Sequence, residues 1–142
     1  MQLDYTVPTS KSHADAVQAV VDSALAHKFS VPFVNTLSET LAEKGFEREP
    51  VTIIEMCNAK PASAVLARDV KIGLMFPCPV MVYDEDGHVF ITTMRPSLIG
   101  SFYPEAGIDA IAAEVETAIL AIVDEAAASS ESTVAENLRL SI

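Results

Sequence analysis

The side chains with the greatest intrinsic reactivity in this sequence are Cys57 and Cys78, the only two cysteines among its 142 residues. Cys57 lies in Glu55-Met56-Cys57-Asn58, where a strand pattern gives way to a helix start. The positive end of a helix dipole favours a thiolate there. Glu55 opposes it, because two residues back along a strand is the same face. Cys78 lies in Phe76-Pro77-Cys78-Pro79. Pro79 holds it extended, and neither proline offers a backbone donor. Such a stiff segment can present a side chain into a pocket. The chemistry on offer is that of thiols: Cys57 as nucleophile or sulfur carrier, Cys78 as resolving thiol, and Asn58 as a polar contact for the bound group. Against it stands the ordinary fate of free cysteine, which is often buried and acts as a small apolar side chain.

Other chemistries find less support. His13, His27 and His88 are scattered, and with two cysteines twenty residues apart they match no zinc spacing, so no metal is expected. Their settings, at a helix start, a helix end and a turn, read as surface positions. Asp84-Glu85-Asp86-Gly87 reads as a solvated hairpin tip and lacks the ligand ladder of a calcium loop. Arg95, before Pro96, can hold an anion or pair with a surface carboxylate. With five glycines in the chain there is no Gly-rich phosphate loop and no G-x-S-x-G elbow, and no cofactor is implied.

The elements that must position these residues follow from pattern. Residues 2–7 alternate Leu3, Tyr5 and Val7 with polar residues, as a half-buried strand does. Ser12 with Asp15 starts a helix whose face is Val17, Val20, Val21, Ala24 and Leu25. Residues 29–34 form a short or edge strand, because Pro32 cannot donate to a ladder. Thr36 and Glu39 make a capping box for a short helix that ends at Gly45, with Phe46 folding back on Leu41. Val51 to Cys57 is a strand, and Asn58 caps a helix running to about Arg68. Leu74 to Tyr83 is a nearly all-apolar strand, central and buried on both faces. It pairs through the acidic turn with His88–Met94. Ile108, Ile111, Ala112, Val115, Ile119, Ile122, Val123 and Ala126 mark one face of a long helix. The succession β-α-β-α-β-α-β-β-α implies an α+β fold with a single mixed β-sheet packed by helices. Residues 1–128 read as one domain and 129–142 as a mobile tail.

Composition bounds the partners. Half of the residues are hydrophobic and 20% charged, the profile of a globular chain with a core. Twenty acidic against nine basic residues leave a net charge of -11. Such a chain repels the phosphates of nucleic acid and of anionic membranes, so neither is an expected partner. The N-terminus has no secretory pattern and no apolar run reaches the ~18 residues of a span, which makes a reducing cytoplasm the expected compartment, with both thiols free at rest.

Taken together, Cys57-Asn58-Ala59, Gly73-Leu74-Met75-Phe76-Pro77-Cys78, Val80-Met81-Val82-Tyr83 and Arg95-Pro96 resemble the domain of unknown function 302 family of small bacterial and archaeal proteins. That family carries a Cys-Asn-Pro segment, a short helix, a Gly-x-x-Leu-Pro-Cys segment, a strand with a Val-Tyr ending and a residue followed by Pro after the hairpin. The chain departs from it at Ala59, where Pro is usual, at Phe76, which replaces Leu, and at Arg95, where an acidic residue is common. The resemblance implies a small α/β domain that pairs as a homodimer, and it raises the expectation that Cys57 and Cys78 approach each other. It implies no reaction.

Three readings of function follow. One is a thiol-based redox or sulfur-handling site at Cys57 and Cys78. The second is a non-catalytic homodimeric module with a pocket for a small molecule or a partner protein, lined by Met56, Phe76, Met81 and Tyr83, with Asn58 and Arg95 as polar contacts. The third is a dimeric accessory protein with a flat interface and no pocket.

Overall fold

A computed structural model describes residues 2–128 of the chain; the expected tail at 129–142 lies outside the described residues. Five strands form one sheet: β1 (Asp4–Thr9), β2 (Ser30–Asn35), β3 (Val51–Cys57), β4 (Cys78–Glu85) and β5 (His88–Met94), in the order β1-β5-β4-β3-β2. Five helices accompany them: α1 (His13–Ala26), α2 (Leu37–Glu43), α3 (Ala59–Arg68), α4 (Ser97–Phe102) and α5 (Asp109–Ala127). This is the expected α+β class, a single sheet packed by helices. To the expected succession it adds α4 and two 3-10 turns, Val70–Met75 and Pro104–Ala106.

The sheet is not mixed, however: every neighbouring pair is antiparallel. Each connection after β2 returns the chain to the strand beside it. The one long crossing is made by α1, which carries the chain from one edge to the other. β1 and β2 run parallel but never touch.

The main core lies between the sheet and the helices α1 and α5. Ala16, Val20 and Ala24 of α1 meet Ile119, Ile122, Val123 and Ala126 of α5 over Ile54, Met56, Val80, Val82 and Ile91 of the sheet. Burying each of the larger side chains contributes about 1.5–3 kcal/mol. α1 is held at its start by Ser12, whose hydroxyl accepts from the Asp15 amide at 3.2 Å as expected. Pro32 sits in edge strand β2, where the register with β3 also shifts. The β4–β5 hairpin closes on Asp86 (φ 52) and Gly87 (φ 80), the paired left-handed residues of a type I′ turn.

Several local expectations fail. β4 is the central strand, but only Val80 and Val82 are fully buried; Met81 and Tyr83 point to the other face and are half-buried. The strand also begins at Cys78, not Leu74, which lies in a 3-10 turn and is 83% exposed. Thr36 precedes α2 without a side-chain capping bond. His13 is no surface residue: half-buried, it places Nδ1 2.8 Å from Asp84 Oδ1 and Nε2 2.7 Å from Thr52 Oγ1, tying α1 to β3 and β4. No helix among the described residues is long and apolar enough to cross a membrane.

Candidate functional site

Beyond the ends of β3 and β4 a second, smaller core gathers Val65 of α3, Ile72, Ile99 of α4 and Ile108 just before α5. The two cores do not close on each other. A cleft lies between them, with an empty volume of about 500 Å³ counting its open mouth. Phe29 and Met56 of the main core form one wall, and Val65, Ile99 and Ile108 of the second core form the other. Ile111, Ala112 and Val115 of α5 bridge them.

The sequence brings its distinctive residues to this place in two short passages. In the first, β3 ends at Cys57, Asn58 is extended (φ -112, ψ 111) and α3 begins, with Pro61 in its first turn. Asn58 occupies the N-cap position, yet its side chain makes no capping bond, contrary to expectation. Its amide is therefore not committed to the helix, and it borders the cleft half-buried. In the second, Asp69 accepts from the Lys71 amide at 3.0 Å and opens the 3-10 turn, which stops at Phe76. The Phe76–Pro77 peptide is cis, and β4 starts at Cys78 opposite Met56.

Burial pushes the Cys78 thiol up to about 11, with a smaller contribution from the charge of Cys57. At neutral pH Cys78 is then held as the neutral thiol. A thiol in that state is a poor nucleophile and a poor resolving partner. Both cysteines are free, and they are not near each other. The expected pairing fails because the register sets Cys78 against Met56. Cys57 is one residue further on, and the pleat alternates successive side chains.

The geometry can be set against known proteins. Residues 5–126 match the family described as "Domain of unknown function DUF302". The chain belongs to that family. It is also similar to the crystal structure of an uncharacterized conserved DUF302 protein from Bacillus stearothermophilus. The TM-score is 0.84 and the identity 28%, and the match covers 89% of this chain and 99% of the other. No curated protein matches the chain.

Of the residues singled out in this DUF302 chain, the fold brings Cys57, Cys78, Asn58, Phe76 and Met56 to the cleft. Tyr83 and Arg95 lie elsewhere. Tyr83 stacks on Phe90 across the β4–β5 pair, with ring centroids 5.3 Å apart. Met81 shares its face of β4, away from the main core. Arg95 lies over the Tyr5 ring, 5.3 Å from guanidinium carbon to centroid, and only its neighbour Pro96 reaches the cleft. The walls supplied by α4 and α5 are absent from the sequence reading of the DUF302 motifs. The signal for α5 is present in the Ile108, Ile111, Ala112, Val115 spacing, which reads as core. For α4 there is none, because its place depends on Ser97 donating to Glu116 Oε1 of α5 at 2.7 Å. Among the described residues no group of three metal-ligating side chains occurs.

Proposed function

We propose that the domain binds a small apolar molecule, or the apolar part of a larger one, in the cleft between its two cores, and that Cys78 is a wall of that cleft. The observation that carries this reading is the lining itself: Phe29, Met56, Val65, Phe76, Ile99 and Ile108 surround a space in which Asn58 is the one side-chain amide. Burial of a methylene is worth ~0.8 kcal/mol, so an eight-carbon chain gains at most roughly 6 kcal/mol before the cost of association is subtracted. A dissociation constant no tighter than the millimolar range follows for so simple a probe.

Octanol titrated into isotope-labelled protein tests it, with backbone amide shifts as the readout. Saturable shifts at Met56–Ala62 and Phe76–Cys78 that disappear in Val115→Phe, with the fold intact by circular dichroism, support the reading. Shifts that are absent, or spread without saturation, refute it.

A second reading keeps one thiol in play. Cys57 borders the same cleft just before α3, and a bound electrophile would meet it there. Cys57→Ser that binds normally but no longer takes up an electrophilic probe supports that role. We also propose a homodimer in a reducing compartment, with both thiols free. Phe33 on edge strand β2 is 54% exposed and sits at a sheet edge that a second copy can cover. Sedimentation equilibrium of wild type and Phe33→Lys measures it.

A further inference from the structure

The cleft does not end at its apolar walls. Beside it lies a broader depression lined by His27, Lys28, Lys60 and Glu114, and the two spaces share Phe29, Asn58, Pro61 and Val115. An apolar space thus borders a polar one. The charge there runs against the rest of the molecule. The chain holds nine basic and twenty acidic residues, yet two of the nine, Lys28 and Lys60, flank this one opening against a single acidic side chain, Glu114.

Among the described residues neither lysine has an ion-pair partner. His27 is engaged, with Nε2 2.9 Å from Glu125 Oε2. Lys28 follows α1 with φ 66, a left-handed backbone that glycine or asparagine adopts more readily. Asn58, uncommitted to its helix, stands where the two spaces meet.

We infer that the occupant is an amphipathic anion. Its apolar tail fills the cleft, and its negatively charged head, a carboxylate or a phosphate, lies at the mouth between Lys28 and Lys60 within reach of the Asn58 amide. This deepens the binding reading above and rests on it. Glu114 opposes the head group, and it lines the outer depression but not the apolar cleft. The excess of negative charge elsewhere is screened beyond ~10 Å at 0.1 M salt, so the local lysines dominate.

The test compares octanoate with octanol in the amide titration at pH 7 and about 0.1 M salt, in wild type, in the double variant Lys28→Gln/Lys60→Gln and in Glu114→Gln. Exposed ion pairs are worth little individually, so octanoate is expected to bind about three- to tenfold more tightly than octanol. That advantage shrinks in the double variant and in 1 M salt, and grows in Glu114→Gln, while octanol binding stays the same in all of them. Octyl phosphate in place of octanoate separates the two head groups: the tighter of the pair assigns the class. Octanol binding as tightly as octanoate overturns the inference and leaves the apolar cleft standing, as does an octanoate advantage that survives loss of both lysines. If neither probe binds, the binding reading falls and this inference falls with it.

Discussion

The buried Cys78 thiol makes a prediction that depends on no ligand. Its folded-state value of about 11 lies above the ordinary 9.0. Below pH 9 the thiol is protonated in both folded and unfolded chains and contributes no pH dependence. Between 9 and 11 the unfolded chain gives up the proton while the folded chain keeps it, so stability falls as pH rises. With one unit worth roughly 1.4 kcal/mol, the loss is small at pH 9, roughly 1 kcal/mol at pH 10, and on the order of 2–3 once both forms are ionised. Tyr5 and Tyr83 are also raised, by the hydrogen bond to Asp124 and by burial respectively, and they erode stability over a nearby window. The clean measurement is therefore a difference. Urea unfolding followed by circular dichroism, under reducing conditions at pH 8, 9 and 10, is compared between wild type and Cys78→Ala. The substitution costs about 1 kcal/mol at pH 8, as lost packing. At pH 10 that gap should close by roughly 1 kcal/mol, so the variant comes about level with wild type. A gap that stays constant from pH 8 to 10 refutes the placement of Cys78 as a buried neutral thiol.

Three further outcomes follow from the structure. In the folded protein iodoacetamide should label Cys57 well before Cys78, and mild oxidant should yield no Cys57–Cys78 disulfide; a rapid intramolecular bond, seen by mass spectrometry, contradicts the geometry. His13→Ala leaves the half-buried Asp84 and the buried Thr52 without their partner and should cost about 1–3 kcal/mol in urea unfolding, whereas His88→Ala at the exposed start of β5 should cost under ~0.5. Gly87→Ala forces a side chain onto a φ of 80 in the β4–β5 turn and should cost about 1 kcal/mol, although the space around it is open; an unchanged midpoint would show the turn to be pliable.

Local patterns were legible where punctuation and burial agree. Strand β3 spans Val51–Cys57 in both pattern and structure, and α3 ends at Arg68 in both, because Asn58 separates an alternating run from a helical one. Where they disagree, the pattern misleads. The apolar run from Leu74 reads as one strand, yet its first residues turn through a 3-10 segment and only Cys78 onward joins the sheet. Periodicity registers apolarity, not direction. Tyr83 looks like a pocket residue because it ends a strand, but pleat parity against Val80 and Val82 sends it to the other face. His13 reads as surface at a helix start; the partners that draw it inward are 39 and 71 residues away. The acidic turn, read as a solvated tip, supplies one of them in Asp84.

The cleft itself was half visible, and the division has a physical cause. Its floor is made by two passages, Cys57-Asn58 and Phe76-Pro77-Cys78, whose residue types are distinctive in the sequence. Its walls are made by α5, whose residue types are not. That helix spans both cores: Ile119, Ile122, Val123 and Ala126 pack on the sheet, while Ile111 packs with the second cluster. A helix is straight and its apolar stripe is continuous, so Ala112 and Val115 carry the same signature as the residues to either side. They line a space only because the sheet stops at Cys57 and Cys78, and the second core sits too far beyond those ends to meet the first. The same gap explains the state of the thiols. Cys78 is deep enough against Met56 to lose its ionisation, and Cys57, one residue along, lies on the border of the same cleft. A site built by two cores failing to close favours occupancy by an apolar body, and that weighs against chemistry between two cysteines held apart on its border.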